Sequence, residues 1–336
     1  MQSLAIKYRP QKFTEVVEQS ATKVILQQQL STGEIKNAYL FCGSAGTGKT
    51  TCARIFANEI NKGQGSPIEL DAASNNSVDD IREIIQQSKT ASLDSEYKIF
   101  ILDEVHALSN SAWQAMLKVL EEPPAKSIFI MCTTDPNRVP KTILSRVQRY
   151  NFQRISTRAI LERLEYVVKS EFDNGYQIRV REGVLDYIAK LSNGGMRDAL
   201  TLLDKCLAYS DDLTLADVVN AVGITEYSVM CDFLRAYEED NKEKKIAIIN
   251  DIYQDGKDLK LFIKDLASFV LEICKWYLGV DEKYLNVPLS VEITAFLDKI
   301  EINAEELLTS LIKLQNDIKW DTNPKSRIEA WCITKE

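Results

Sequence analysis

The chain reads Gly43-Ser44-Ala45-Gly46-Thr47-Gly48-Lys49-Thr50 directly after the apolar run Ala38–Cys42. This stretch fits the pattern G-x-x-x-x-G-K-T, and helix-forming residues follow it from Cys52 to Ala57. A strand followed by such a loop and then a helix forms a phosphate-binding site, because backbone N–H groups and the helix N-terminus surround the phosphate oxygens. We expect Lys49 to reach the β- and γ-phosphates and Thr50 to ligate Mg²⁺, so the stretch predicts ATP binding.

A pair of acidic residues, Asp103-Glu104, ends a second apolar run, Tyr97–Leu102. After a phosphate loop, we expect Asp103 to hold Mg²⁺ and Glu104 to polarise the attacking water. The pair therefore predicts hydrolysis of ATP as well as binding. A third apolar run, Ser127–Cys132, leads into Thr133-Thr134, where a polar group is a candidate sensor of the γ-phosphate.

The three apolar runs alternate with helical patterns and predict the fold of the first part of the chain. Continuous apolar strands of this kind suit a parallel sheet covered by helices on both faces. After residue 155 the patterns are helical and no further strand is expected: Ser156 is a candidate N-cap, and Asn193-Gly194-Gly195 separates two helices. An apolar stripe from Leu259 to Ile273 predicts a helix near the C-terminus. Three domains follow: an α/β phosphate-loop domain over 1–154, a small helical domain over 155–222 that ends near Gly223, and an all-α domain over 223–336.

Composition restricts the class of protein. At 336 residues the chain is long enough for more than one core. No apolar run approaches the roughly 20 residues that cross a bilayer, and the N-terminus lacks the apolar stretch of a signal peptide, so we expect a cytoplasmic protein without membrane contact. A net charge of −8 argues against nucleic-acid binding over the whole surface. Residues 137–158 nevertheless carry six basic and no acidic side chains, either as a solvated face or as a nucleic-acid contact.

The cysteine and histidine content points away from two other kinds of site. Seven cysteines are an odd number, widely spaced and without a C-x-x-C pair. This spacing supports neither a disulfide framework nor a zinc site, and buried thiols are expected instead. The single histidine, His106, excludes catalysis that needs a histidine pair.

Further motifs occur in an order typical of one family. Together they closely resemble the gamma/tau subunits of the bacterial DNA polymerase III clamp loader, which are AAA+ ATPases. The likeness is densest over residues 7–205 and continues more weakly to the end of the chain. Besides the phosphate loop, the motifs are Lys7-Tyr8-Arg9-Pro10, Glu69-Leu70-Asp71-Ala72-Ala73-Ser74, Asp103-Glu104-Val105-His106, Leu120-Glu121-Glu122-Pro123-Pro124, Thr133-Thr134-Asp135-Pro136, Ser145-Arg146 and Gly194-Gly195-Met196-Arg197-Asp198-Ala199-Leu200.

The resemblance implies an architecture and a task. The three domains become a RecA-like AAA+ domain, a helical lid and a helical collar that serves oligomerisation. The chain would work in a five-subunit ring with copies of itself and subunits of the delta and delta-prime types. The ring would use ATP and Mg²⁺ to open a sliding clamp and place it on primer-template DNA during replication.

The resemblance also implies roles for individual residues. Arg146 matches an arginine finger that acts in trans on a neighbouring subunit's ATP, Thr134 matches sensor 1 and Arg197 matches sensor 2. The expected catalytic set is Lys49, Asp103, Glu104 and Arg146. The expected ATP-binding set is Tyr8, Arg9, Pro10, Gly43, Ser44, Ala45, Gly46, Thr47, Gly48, Lys49, Thr50, Thr51, Thr134 and Arg197. The candidate DNA contacts, to the backbone and independent of sequence, are Arg82, Thr142, Ser74 and Asn110.

Four departures from the family pattern carry expectations of their own. Asn61–Pro67 stands where family members carry a four-cysteine zinc module, so no zinc is expected. Val147 replaces a cysteine after the Ser-Arg pair, and Glu18 replaces a common glycine, which predicts a modest change in the nucleotide pocket. Asn75, Ser77 and Asn110 stand where some members have basic residues, which predicts either weaker DNA contact or contact carried by other residues. The chain stops after the collar and is expected to be gamma-like.

Two alternatives stay open from the sequence. One is another AAA+ DNA-processing ATPase of the branch-migration type, although no aromatic pore loop is identified. The other is a non-catalytic scaffold subunit of the loader, against which the complete phosphate loop and Glu104 argue.

Overall fold

The computed structural model describes residues 2–222, 227–287, 289 and 291–334. They form two compact units. Unit 1 contains the residues up to Asp173 together with Ser192–Asp204, and unit 2 contains Asn174–Leu191 together with the residues from Lys205 onward. The division into three domains near residues 155 and 223 stays a prediction, and Gly223 lies outside the described residues.

A five-stranded sheet forms the centre of unit 1, and all its paired strands are parallel. The spatial order is β2-β3-β4-β1-β5, so the predicted parallel sheet is confirmed. The three central strands are the three apolar runs of the sequence. The edge strands β2 and β5 were missed because they are half exposed or polar and lack a continuous apolar run. The strands are β1 (Ala38–Cys42), β2 (Ile68–Asp71), β3 (Lys98–Asp103), β4 (Ser127–Thr133) and β5 (Gln148–Asn151).

Helices cover both faces of this sheet because alternate strand residues point to opposite sides. Leu40 joins a buried cluster with Trp113 and Met116, whereas its neighbours Tyr39 and Phe41 join a second cluster with Phe56. The described helices with residues in unit 1 are α1 (Leu4–Lys7), α2 (Ser20–Thr32), α3 (Lys49–Ile60), α4 (Val78–Ser88), α5 (Asn110–Glu121), α6 (Lys141–Leu144), α7 (Thr157–Asp173) and the first part of the helix that begins at Met196.

Side-chain caps fix where several of these helices begin. The predicted cap at Ser156 is confirmed, since its hydroxyl accepts a hydrogen bond from the Ala159 N–H at 3.2 Å. Ser77 caps α4 in a reciprocal capping box with Asp80, and Ser109 caps α5. Helix α5 ends at Glu121, as the Pro123-Pro124 pair predicts.

Unit 2 is mainly helical around a large apolar core. The predicted stripe is confirmed, because Phe262, Phe269 and Ile273 are buried on one helix. The prediction that no strand follows residue 155 was wrong, because β6 (Arg179–Val180) pairs in parallel with β7 (Asp212–Leu213). Two residues are too few to leave a periodic pattern in the sequence. The remaining described helices are α8 (Val184–Leu191), α9 (Met196–Tyr209, which begins in unit 1), α10 (Leu215–Val222), α11 (Tyr227–Glu238), α12 (Lys242–Gln254), α13 (Leu259–Tyr277), α14 (Val291–Leu297), α15 (Ala304–Ile318) and α16 (Lys325–Thr334).

Two expectations from composition can be compared with the described residues. All seven cysteines are free and six of them are buried, as expected for thiols in an apolar interior. Burial raises the pKa of the Cys52 thiol to about 12. Within the described part of the chain, no helix combines the length and apolarity needed to cross a membrane.

Candidate nucleotide-binding site

A cavity of about 320 Å³ lies at the carboxyl ends of the central strands of unit 1. It brings together the phosphate loop, the acidic pair and the N-terminal segment, which are far apart in sequence. Eleven of the fourteen predicted ATP-binding residues line it, together with Asp103 and Glu104; Gly43, Ser44 and Thr134 do not. The predicted lining residues are Tyr8, Arg9, Pro10, Ala45, Gly46, Thr47, Gly48, Lys49, Thr50, Thr51 and Arg197.

The strand order explains this convergence. In the sheet, β4 lies between β3 and β1, and all three run in the same direction. The phosphate loop after β1, the acidic pair after β3 and Thr134 after β4 therefore meet at one edge. The carboxyl edge of a parallel sheet, next to the point where strand order reverses, is where ligands of such folds bind.

The ammonium group of Lys49 is held at the phosphate loop. Its Nζ donates to the carbonyl oxygens of Gly43 and Ser44, both at 2.9 Å. The residue is only 5% exposed and no carboxylate of the described residues pairs with it. A buried cation without an anionic partner is costly, so the site favours an anionic ligand such as a phosphate.

Close approach of two backbones requires glycine at position 46. A Cβ on Gly46 would lie 2.9 Å from the Gly195 Cα, and the residue has a φ of +71°. The Met196 N–H donates to the Gly46 carbonyl at 3.0 Å. The phosphate loop thus packs directly against the segment that begins α9 and carries Arg197.

The residues proposed for Mg²⁺ are already in contact. The Thr50 hydroxyl donates to the Asp103 Oδ2 at 2.7 Å. A hydroxyl and a carboxylate are oxygen ligands of the kind that Mg²⁺ prefers, and phosphates complete such sites in nucleotide-binding proteins. These two residues therefore fit the predicted ion.

Glu104 adopts an unusual backbone conformation immediately after β3. Its φ of +48° lies in the left-handed region, which is uncommon for a residue with a side chain. Its carboxylate oxygen Oε2 accepts hydrogen bonds from the Thr134 hydroxyl at 2.9 Å and the Thr134 N–H at 3.2 Å. The predicted sensor therefore contacts the predicted catalytic carboxylate.

Hydrogen bonds and an ion pair join α7 to the N-terminal segment that forms one wall of the cavity. The Tyr8 hydroxyl donates to Glu171, Lys7 pairs with the same carboxylate at 2.7 Å, and Arg163 donates to the Tyr8 carbonyl at 3.0 Å. Burial, with the bond to Glu171 adding to it, raises the pKa of Tyr8 to about 12. Burial alone would raise the pKa of Glu171, but the bonds from Lys7 and Tyr8 outweigh it and lower that pKa.

Three guanidinium groups add positive charge around the phosphate loop. The pKa of Arg9 is lowered first by burial and then by repulsion from Arg54 and Arg197. Arg54 is paired with Glu69 at 2.6 Å, whereas Arg9 and Arg197 line the cavity. This concentration of cations suits a polyphosphate.

Glu18, the departure from the family pattern, is accommodated by its own contacts. It has a φ of +54°, and its carboxylate accepts bonds from the Ser156 N–H at 3.1 Å and the Ser156 hydroxyl at 2.6 Å. The next residue, Gln19, exchanges two hydrogen bonds with the backbone of Gln153, at 2.7 and 3.1 Å. This segment is thereby joined to the chain that leads into α7.

The predicted arginine finger lies outside the cavity. The Arg146 side chain is 34% exposed and donates to Glu121 at 2.7 Å and to the Thr142 carbonyl at 2.6 Å. Its partners thus lie on α6, the short helix that precedes it, and at the end of α5.

The candidate DNA contacts are not part of the cavity either. Arg82 is exposed and pairs with Asp79 at 3.0 Å, and Ser74 donates to Asp71 at 3.1 Å. Ser74 lies before α4 and not at its start, since the N-cap of that helix is Ser77. Asn110 is the first residue of α5, and Thr142 lies on α6. Their DNA-binding role stays a prediction.

Several residues of the site were not predicted to belong to it, although Leu200 and Glu121 stand in the motifs quoted from the sequence. Val16, Val17, Ile155 and Leu200 supply apolar lining, which suits the base of a nucleotide. Glu171 and Glu121 each pair with a predicted site residue from a distant helix. A glutamate on a helix reads as an ordinary exposed residue, and only the fold brings these two to their partners.

The fold is that of an AAA+ ATPase. The branch migration motor RuvB of Thermotoga maritima matches 68% of this chain and 78% of its own, with a TM-score of 0.52 and 19% identity. A RuvB variant from the same organism matches 82% of this chain and 86% of its own, with a TM-score of 0.53 and 18% identity. At this identity the likeness concerns the fold alone, and it confirms the predicted fold class.

Sequence comparisons find similar proteins among the subunits of DNA polymerase III. Residues 66–156 match the family model described as DNA polymerase III, delta subunit, and residues 159–212 match the ATPase lid domain of the DNA polymerase III clamp loader subunit. The DNA polymerase III subunit tau of Bacillus subtilis is 36% identical over 99% of this chain and 62% of its own length. The gamma/tau subunit of Mycoplasma genitalium is 32% identical over 86% of this chain and 51% of its own length. These findings confirm the resemblance to the gamma/tau subunits of the DNA polymerase III clamp loader, and the chain spans about half to three fifths of the length of these relatives.

Proposed function

We propose that the chain is the ATP-hydrolysing motor subunit of a DNA polymerase III-type clamp loader. It uses ATP to open a sliding clamp and place it on primed DNA during replication in the cytoplasm. The observation that carries the proposal is the cavity, in which Lys49, the Thr50–Asp103 pair and Glu104 converge while Arg146 lies outside. A family whose curated members are tau and gamma/tau subunits supports the loader as the setting.

Each part of the cavity has a task in hydrolysis. The phosphate-loop N–H groups and Lys49 bind the phosphates, and the apolar wall with Tyr8 and Pro10 receives the base. Thr50 and Asp103 would hold Mg²⁺, which would supply positive charge to neutralise the phosphates. Glu104 accepts a proton from the attacking water, and Arg197 contacts the γ-phosphate end. Thr134 senses the γ-phosphate through its bonds to the Glu104 carboxylate.

Arg146 acts on the nucleotide of a neighbouring subunit. Catalysis of phosphoryl transfer depends on positioning and charge stabilisation, so a cation supplied in trans links the rate to assembly. We therefore expect a low rate for the chain alone. The rate rises when copies of the chain, delta-type and delta-prime-type subunits, the clamp and primer-template DNA are present.

The two alternatives are weaker. A scaffold subunit needs no hydrolysis and leaves the arrangement around Glu104 without a purpose. A branch-migration motor is supported by the likeness to RuvB, but at 19% identity this likeness describes the fold alone. Strand unwinding by the purified chain in a six-membered ring would favour that alternative.

The decisive experiment compares Lys49→Ala with Lys118→Ala, which removes an exposed lysine of α5. Loss of a charge-assisted hydrogen bond of about 1.5–3 kcal/mol predicts about a 10- to 100-fold weaker affinity of Lys49→Ala for ATP. Isothermal titration calorimetry measures the affinity, and a phosphate-release assay with clamp, partner subunits and primed DNA measures the rate. Circular dichroism verifies that both variants are folded.

Unchanged ATP affinity in folded Lys49→Ala would contradict the assigned phosphate site. It would favour the alternative that the chain is a non-catalytic scaffold subunit. A rate that does not respond to clamp and primed DNA would contradict the loader assignment.

A further inference from the structure

His106, the single histidine of the chain, has no role in the site as described so far. It lies in a short 3₁₀ turn, Val105–Ala107, immediately after Glu104. Its Nδ1 is 3.2 Å from Glu104 Oε2 and 3.3 Å from the Thr133 hydroxyl oxygen. Its ring does not line the nucleotide cavity.

The surrounding groups determine which ring nitrogen carries the hydrogen. An ionised carboxylate only accepts hydrogen bonds, so a bond between Nδ1 and Glu104 Oε2 requires a hydrogen on Nδ1. The Thr133 hydroxyl oxygen already accepts the Asp135 N–H at 3.0 Å and has a second lone pair for the same ring N–H. This network assigns the Nδ1–H form to His106.

One oxygen of Glu104 is thus held by three donors. Oε2 accepts the hydroxyl and the N–H of Thr134 from the end of β4, and the ring N–H of His106 from the turn after β3. Among the described residues, no group donates to the other oxygen, Oε1. These donors come from two different elements, so Oε2 is held from the end of β4 and from the turn after β3, whereas Thr134 alone holds it from one side.

The backbone of the same turn supports this arrangement. Glu104 holds its left-handed conformation with its own N–H bonded to Asp103 Oδ1 at 3.0 Å and its carbonyl bonded to the Ala107 N–H at 2.9 Å. Such strained positions occur where the surrounding structure fixes a functional geometry. The turn that orients Glu104 is therefore the one that carries His106.

We infer that His106 is a positioning residue for hydrolysis: with Thr134 it anchors Glu104 Oε2 and leaves Oε1 to take the proton from the attacking water. The inference rests on the proposed ATPase function. It assigns His106 no contact with ATP, so its contribution belongs to the chemical step and not to nucleotide binding.

Two substitutions separate positioning from structural support. His106→Ala removes the donor, whereas the side-chain amide of His106→Asn places an N–H near the position of Nδ1. We expect kcat of His106→Ala to fall about 10-fold, in line with one hydrogen bond to a charged group. The KM and the ATP affinity stay unchanged, and His106→Asn recovers most of kcat. Steady-state assays in the reconstituted assembly and calorimetric titration with ATP measure these quantities.

Three results overturn the inference: a normal kcat in His106→Ala, an equal loss of kcat in both variants, or a fall in ATP affinity that parallels the loss. A test without turnover uses ¹⁵N NMR of the imidazole, which needs no assignment among several histidines. A ring protonated on Nε2 alone contradicts the proposed bond. If the wild-type assembly does not hydrolyse ATP although Nδ1–H is observed, the proposed function fails and the catalytic role of His106 fails with it, while the hydrogen bond remains.

Discussion

The phosphate-binding edge of the sheet and the surface around Arg146 differ in how complete they are. At the sheet edge, Lys49 is 5% exposed, and Thr50, Asp103, Glu104 and Thr134 contact one another within one chain. The Arg146 side chain is 34% exposed, and its partner Glu121 is 44% exposed. The first region has the components of a binding site, whereas the second presents a cation that no nucleotide site of unit 1 uses.

The ion pair between Arg146 and Glu121 is weak enough for Arg146 to exchange Glu121 for another anion. Partly exposed ion pairs contribute about 0–1 kcal/mol to stability, because water and salt screen them. A polyphosphate on a neighbouring subunit carries more negative charge than one carboxylate and binds a guanidinium through two oxygens. Glu121 therefore holds Arg146 in the single chain, and the weak pair is compatible with the proposed role of Arg146 in a ring.

The largest effect is expected from Arg146→Ala in the assembled ring. Removal of an arginine finger costs about 10³- to 10⁵-fold in rate. We expect this loss in the clamp- and DNA-stimulated ATPase rate, with unchanged ATP affinity, because Arg146 does not line the cavity. Arg158→Ala is the control, since that arginine is 89% exposed and pairs with a glutamate, Glu162, on its own helix.

Mixing experiments can test whether the finger acts in trans. Arg146→Ala subunits mixed with Lys49→Ala subunits should recover part of the stimulated rate, because each supplies what the other lacks. A normal stimulated rate in Arg146→Ala alone would remove the assignment of the finger.

A smaller effect is expected from Glu171→Ala, which loosens a wall of the nucleotide cavity. Glu171 is 4% exposed and accepts from Lys7 and Tyr8. A hydrogen bond to a charged group is worth about 1.5–3 kcal/mol, and a wall loosened by the loss of these bonds should lower ATP affinity about 10-fold. Glu165→Ala, at an exposed position of the same helix, is the control and should bind ATP normally.

The Glu171 contact also has a pH dependence of known sign. The folded state lowers the pKa of Glu171, so the carboxylate stabilises the fold above its unfolded pKa of about 4.3. This stabilisation is lost as the pH falls through the folded pKa. Urea denaturation between pH 3 and 7 measures the free energy of unfolding of both proteins. The wild type should lose the contribution of Glu171 as the pH falls, whereas Glu171→Ala lacks this contribution at every pH. Parallel curves for the two proteins would contradict the ion pair.

The two regions also differ in what the sequence could predict. The phosphate loop, the acidic pair and Thr134 each follow an apolar strand, and strands that are buried on both faces leave a continuous apolar run. Their meeting at one sheet edge follows from parallel order. The pairs Tyr8–Glu171 and Arg146–Glu121 join positions on different elements, and single glutamates on helices give no pattern that selects a partner.

Glu18 lies between these cases and leads to the smallest predicted effect. The left-handed conformation costs about 1–2 kcal/mol for a residue with a side chain, whereas glycine adopts it freely. The two bonds to Ser156 offset this cost. Glu18→Ala keeps the strain and loses both bonds, so its free energy of unfolding should fall by about 1–2 kcal/mol. Glu18→Gly loses the bonds but also the strain, and its stability should stay within about 1 kcal/mol of the wild type. Urea denaturation measures both variants against Glu15→Ala, an exposed glutamate of the same segment. Equal destabilisation by alanine and glycine would show that the side-chain bonds, and not the backbone conformation, determine the energetics of this position.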